Sequence, residues 1–160
     1  MDNVRVLFVC HGNICRSPMA QCVMQHMVDE AGLADRFIID SCATTTEEIG
    51  NPLYPPARRK LNEKGIPLLA HRARKIRADE ASAWDYIVCM DEENLWHLQR
   101  ILGRGNMGNV STLLSYIGLD REVADPWYTG DFEATYQDVD AGCRALLEHI
   151  AHERGWKVAR

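Results

Sequence analysis

Apolar positions along this chain of 160 residues fall into two patterns that alternate. Short, nearly continuous apolar runs occur at 6–9, within 36–40, at 86–90 and, more weakly, at 109–112. Runs of that length, bounded by polar residues and glycine, predict strands buried on both faces. Between them the apolar spacing changes to three and four residues, the period of a helix. A first helix is predicted over 17–31, with Met19, Cys22, Val23, Met27 and Ala31 giving it an apolar face. Ser17 is suited to cap it, Pro18 fits a first turn where its missing N–H has no helical partner, and Gly32 is a stop. A second helix opens at Pro52 and runs through Arg58, Leu61 and Lys64 to Gly65. A short helix at 78–84 precedes the third strand, and Asp91 caps a helix over 92–102 with Leu95, Leu98 and Leu102 along one side. A final helix over 132–152 spaces Tyr136, Val139, Cys143, Leu146, Leu147 and Ile150 to face the sheet.

Strands alternating with helices predict an α/β fold with a parallel sheet covered on both faces, and the length fits a single domain over 1–160. Ligands of such sheets sit at the carboxyl ends of the strands. Cys10 closes the first strand, the polar stretch 41–50 follows the second, and Asp91 follows the third. Three connections therefore converge on one rim.

Composition narrows the class rather than the chemistry. Hydrophobic residues at 46% and charged residues at 26% are those of an ordinary globular protein. A net charge of −5 and the lack of a basic stripe argue against nucleic acid as a partner. The cluster Arg72, Arg74, Lys75 and Arg77 reads as a solvated loop or helix start. Neither a signal-peptide pattern nor an apolar run approaching the ~18 residues of a membrane span is present. The six cysteines at 10, 15, 22, 42, 89 and 143 lack paired zinc-ligand spacing, so neither metal nor cofactor is expected. Reduced thiols in a cytoplasmic protein without a membrane anchor are the expectation.

The chemistry is concentrated in Cys10-His-Gly-Asn-Ile-Cys-Arg-Ser-Pro18. A cysteine stands where a strand ends, an arginine where a helix begins, and a short loop containing Gly12 joins them. Backbone N–H groups of a tight loop at a helix N-terminus form an anion site. Arg16 adds a planar fork able to grip two phosphate oxygens without losing its charge. The same positive field favours a thiolate at Cys10, and a thiolate beneath a bound phosphorus is an activated nucleophile. The predicted reaction is phosphoryl transfer through a phosphocysteine. Expelling an alkoxide also requires a proton donor. Asp125 is attractive because Pro126 stiffens the chain after it and Trp127 and Tyr128 supply apolar walls, although Asp-Pro alone is commonly a turn.

This signature, with Asp125-Pro126-Trp127-Tyr128 near the other end of the chain, resembles that of the low-molecular-weight protein tyrosine phosphatases. The resemblance implies a flavodoxin-like, four-stranded parallel sheet in order 2-1-3-4, hydrolysis of phosphotyrosine proteins with inorganic phosphate as product, no cofactor, and a monomer. It implies that Cys10, Arg16 and Asp125 are catalytic, Asp125 first as acid to the leaving oxygen and then as base to water. His11, Gly12, Asn13, Ile14, Cys15 and Arg16 would form the phosphate loop. Ser17, Ser41 and His71 match residues that support the thiolate and the Asn13 network, and Trp127 and Tyr128 match the substrate wall. Cys15 matches a second loop cysteine that pairs with the nucleophile on oxidation. The chain departs from the family where Glu47 replaces a common aromatic residue of the wall, and where Tyr54-Pro55-Pro56 replaces Asp-Pro-Arg. His11 is a variable position, expected at the rim. Two alternatives share the fold. Protein arginine phosphatases carry threonine at the position of Ile14, and arsenate reductases need further mobile cysteines, a role ill suited to Cys89 inside a strand.

Overall fold

The computed structural model describes residues 3–157. At its centre lies β1 (Val4–Cys10), in which every residue except Arg5 is buried, as a strand covered on both faces must be. It pairs in parallel with β2 (Phe37–Ala43), from Val4 opposite Phe37 to Cys10 opposite Ala43. Its other edge pairs in parallel with β3 (Tyr86–Cys89), and β4 (Val110–Thr112) extends the sheet beyond β3. The order is 2-1-3-4, as expected.

Alternation along β1 sends its side chains into two cores. Val4, Val6 and Phe8 meet α1 (Arg16–Glu30), α2 (Pro55–Glu63) and the long α5 (Phe132–Arg154), which contribute Met19, Val23, Leu61, Val139 and Leu146 among others. Leu7 and Val9 point to the other face, with Trp84, Ile87 and the Leu98 and Leu102 side chains of α3 (Glu92–Leu102). Both apolar layers hold β1 rigid, so Cys10 at its end has a fixed position.

Several boundaries differ from the pattern-based expectation, each for a physical reason. α1 starts at Arg16, so Ser17 lies inside its first turn and does not cap it. Its hydroxyl is engaged instead with Cys10. β2 continues through the polar Asp40 and Ser41 to Ala43, past the expected end at 40, because backbone pairing with the buried β1 carries it on. α2 begins at Pro55, since Tyr54, preceding a proline, is held extended at φ −59°, ψ 134°. The segment at 78–84 is a 3-10 helix, Ala78–Ser82. Further 3-10 turns at Ala34–Arg36, Arg104–Asn106 and Leu113–Ile117 and a one-turn α4 (Pro126–Thr129) were not foreshadowed by apolar spacing.

The basic cluster at 72–77 is only partly solvated. Arg72 and Arg77 are exposed, but Arg74 turns inward, 3.1 Å from Asp40 and 3.0 Å from Glu80. Glu80 is itself 3% exposed and also accepts the Arg77 N–H at 2.7 Å and the Trp84 indole N–H at 3.4 Å. Burial alone would raise its pKa, but these donors and the Arg74 charge outweigh that and hold it below the ordinary carboxylate value.

Candidate active site

Residues 10–16 curl into a loop whose carbonyls are drawn outward one by one. The Cys10 carbonyl accepts from Thr44 N (3.0 Å), that of His11 from Thr45 N and Oγ1, and that of Ile14 from Tyr54 N (2.9 Å). The Asn13 carbonyl accepts from His71 Nε2 at 2.6 Å, and the Cys15 carbonyl from Met19 N at 3.0 Å. With its acceptors turned away, the loop presents donors to its concave side. The N–H groups of Asn13 and Ser17 point at Cys10 Sγ from 3.3 and 3.4 Å, and Ser17 Oγ lies 3.0 Å from the same sulfur. That environment is suited to a negative sulfur and to an anion above it.

Asn13 holds the curl. Among the described residues it is the one non-glycine residue at positive φ (60°), a conformation asparagine tolerates better than most. Its side chain is fully committed. Nδ2 donates to Ser17 Oγ (2.8 Å) and Ser41 Oγ (3.0 Å), while Oδ1 accepts from Arg74 N (3.2 Å). Ser41 in turn donates to Gln21 Oε1 at 2.6 Å. The expected network of Asn13, Ser17, Ser41 and His71 is thus assembled, with His71 reaching the backbone of Asn13 rather than its amide. Gln21 and Arg74 complete it. Gln21 did not stand out in sequence and Arg74 did so only within a basic cluster, because the partners of both lie far along the chain.

Arg16 is 2% exposed, and its guanidinium is held by polar partners. Nη1 donates to Asp91 Oδ2 at 2.7 Å and to the Val123 carbonyl at 3.0 Å, and Nη2 faces Asp125 Oδ2 at 3.4 Å. Burial would lower its pKa, but the negative charge of Cys10, Asp91 and Asp125 outweighs that and raises it, so the fork stays charged. Asp91 does two jobs that its sequence position revealed only in part. Its Oδ1 caps α3 through Asn94 N (2.7 Å), and its Oδ2 clamps Arg16. The rule that places ligand-binding residues at strand carboxyl ends puts Asp91 on the rim of the site without revealing its contact with Arg16.

Above the loop, Cys10, Cys15, Arg16, Ile14 and Asp125 line a cleft of about 120 Å³ together with His11, Gly12, Glu47, Glu48, Trp127 and Tyr128. Asp125 Oδ1 accepts the Trp127 N–H at 3.0 Å, so the acid is oriented by the turn that presents the aromatic pair. Trp127 leans on Tyr54, ring centroids 4.9 Å apart, and Tyr128 is 82% exposed. Tyr54 was not foreseen as support for the wall. Glu47 closes the rim with His11, whose Nε2 lies 2.8 Å from its carboxylate. The Glu48 stem lies over Gly12, where an added Cβ would meet it at 3.3 Å. Burial pushes the thiols of Cys15, Cys22, Cys42, Cys89 and Cys143 up, and for Cys15 the neighbouring Cys10 adds to the effect. These five are thiols, not thiolates, at neutral pH.

Compared with known proteins, residues 5–155 match the sequence model of the low molecular weight phosphotyrosine protein phosphatases. The chain belongs to that family. The low molecular weight protein-tyrosine-phosphatase YfkJ of Bacillus subtilis is 36% identical over 153 residues, spanning 94% of this chain and 98% of that protein. Its crystal structure superposes with a TM-score of 0.92, covering 96% of this chain and 98% of the other at 36% identity. The pig (Sus scrofa) low molecular weight phosphotyrosine protein phosphatase is 40% identical over 153 residues, 91% of this chain and 94% of the relative. A crystal structure described as a Drosophila arginine phosphatase superposes with a TM-score of 0.81 at 31% identity, covering 91% of this chain and 97% of that one. The fold and the order of the sheet are those of the low-molecular-weight phosphatases, and the chain is a protein tyrosine phosphatase. Among the described residues, no helix is long and apolar enough to cross a membrane.

Proposed function

We propose that hydrolysis runs through a phosphocysteine at Cys10, with Arg16 and Asp125 as its partners. The thiolate attacks phosphorus and the bond to the phenolic oxygen breaks. Asp125, entering as the carboxylic acid, gives its proton to that oxygen so that a neutral phenol leaves. Water then attacks the phosphocysteine, Asp125 takes its proton, the P–S bond breaks, and inorganic phosphate departs with the thiolate restored. Arg16 and the loop amides grip the equatorial oxygens throughout, where charge spreads in a loose transition state. One observation carries this reading. The sulfur ringed by donors, the buried guanidinium and the Asp125 carboxylate line one cleft beneath an aromatic wall. The substrates are phosphotyrosine proteins. The site is complete within one chain, which supports a monomer, and the six free cysteines support a reducing, cytoplasmic setting.

Cys10→Ser tests the nucleophile. It is expected to abolish turnover of p-nitrophenyl phosphate with the unfolding midpoint nearly unchanged. Asp125→Asn is expected to slow turnover by roughly 10²–10⁴ on aryl phosphates with poor leaving groups, and by much less where the leaving group needs no proton. Normal activity of Asp125→Asn on a poor leaving group would remove Asp125 from the mechanism.

A further inference from the structure

Two hollows adjoin the cleft, each of about 230 Å³, and they share no residue with one another. One joins it by way of Ile14, Glu48 and Trp127 and is walled mainly by Pro52, Leu53, Tyr54 and Pro55. Its lining is largely apolar, with Leu53 buried and the Tyr54 ring tilted at 50° against Trp127, and Asn51 and Arg58 also face it. The other joins the cleft by way of His11, Arg16, Asp125 and Tyr128 and is faced by Asp91, Glu93 and Glu122. Once phosphotyrosine is seated over Cys10, the residues on either side of it in a peptide must cross the rim where these hollows open.

Charge on the second side is strongly one-signed. Glu47 stands in the cleft itself and Glu93 and Glu122 beside it. The cations facing them are few. Arg16 is already paired with Asp91 (2.7 Å) and Asp125 (3.4 Å), and His11 is shared between Glu47 (2.8 Å) and Glu93 (3.5 Å). His97 lies 3.7 Å from Glu93, and Glu122 caps the Glu92 N–H at 2.6 Å. An acidic neighbour of the phosphotyrosine would meet uncompensated carboxylates, whereas a basic one would supply the missing charge.

We propose that this phosphatase selects phosphotyrosine peptides with a lysine or arginine on one side of the phosphorylated residue and a bulky apolar residue on the other. The acidic hollow receives the first and the Leu53–Tyr54–Pro55 groove the second. The proposal rests on the reading of the Cys10 cleft as the phosphotyrosine site. The groove's continuity with that cleft through Ile14 and Trp127 identifies its occupant as the substrate itself.

The test compares kcat/KM for phosphotyrosine peptides with Lys/Leu, Leu/Lys, Glu/Leu and Leu/Glu as the two flanking residues, each normalised to p-nitrophenyl phosphate in the same enzyme. One Lys/Leu order is expected to exceed its Glu counterpart by about 5- to 30-fold, from several exposed ion pairs each contributing a modest factor. The advantage is expected to shrink in about 0.5 M salt, where exposed charges are screened. Glu93→Lys is expected to lower or invert the basic preference. With Lys/Gly and Gly/Lys peptides added to the set, Pro55→Glu, a helix-compatible change at the exposed start of α2, is expected to abolish the preference for leucine over glycine while keeping that for lysine. A flat profile, a preference for glutamate, or a lysine preference indifferent to salt and to Glu93→Lys would overturn the proposal while p-nitrophenyl phosphate is still hydrolysed. Failure to hydrolyse any aryl phosphate would instead overturn the reading of the cleft, and the peptide proposal with it.

Discussion

Ile14 shows how one side chain of the phosphate loop bears on which phosphoryl group is accepted. It packs with Cys15 and Ala73, is 8% exposed, and still lines the cleft. A branched apolar group there offers no hydrogen bond to a planar guanidinium or to a water beside it. An unmet hydrogen bond costs about 1–3 kcal/mol. That corresponds to about 5- to 150-fold discrimination. Phosphotyrosine peptides are therefore expected to be hydrolysed with at least about tenfold higher kcat/KM than phosphoarginine peptides. Ile14→Thr is expected to narrow the gap, and a wild-type preference for phosphoarginine would reassign the substrate. Cys15 carries a second expectation at this scale. Burial keeps it a thiol, so peroxide should attack Cys10 first, and the resulting sulfenic acid should condense with Cys15, losing water as the disulfide forms. Peroxide-treated enzyme is expected to yield a Cys10–Cys15 peptide by mass spectrometry and to recover with dithiothreitol. Equally complete recovery of Cys15→Ser would count against a protective role.

At the scale of elements, what the sequence disclosed follows from what is local. Buried strands and amphipathic helices announce themselves through spacing, and the Cys10–Arg16 loop is contiguous, so both were legible. Asp91 was legible as a helix cap because its partner Asn94 is three residues away, and illegible as the clamp on Arg16 because that partner lies 75 residues away. Ser41 read as loop because polar residues rarely signal a strand, yet its backbone lies opposite Phe8 of β1 and its hydroxyl serves Asn13. Arg74 read as solvated because Asp40 and Glu80 come from other segments. A similar blindness hides the contact between α5 and the Leu113–Ile117 turn. Gly142 sits inside α5, where glycine weakens a helix, but a Cβ there would lie 2.4 Å from Leu113 Cγ. Gly142→Ala should therefore lose more by overpacking than it gains in propensity, a net destabilisation of about 1–2 kcal/mol. Urea denaturation would show it, and an unchanged or raised midpoint would mean that Leu113 moves aside freely.

Across the whole molecule, Glu80, Arg74 and Asp40 tie the 3-10 turn, the 72–77 segment and β2 to one another, and through Arg74 N to Asn13. Because Glu80 has a folded-state pKa below its ordinary 4.5, it contributes stability above that value and loses it as pH falls through the lowered one. Glu80→Gln is expected to lower the unfolding midpoint at pH 7 and to flatten its decline below about pH 4.5. A variant whose acid limb matches the wild type would place the acid sensitivity elsewhere. The outward-turned carbonyls of the 10–16 loop bear on something wider than binding. Thr44, Thr45, Tyr54 and His71 hold them, and all four come from segments that have no reason to approach Cys10 until the sheet has formed and its connections have closed. A chain still emerging from synthesis, or one half undone by damage, has the cysteine without the ring of donors. Its sulfur is then one thiol among six, with no more appetite for phosphate or for stray electrophiles than its neighbours. The hazard of carrying a reactive nucleophile is confined to molecules that have finished folding.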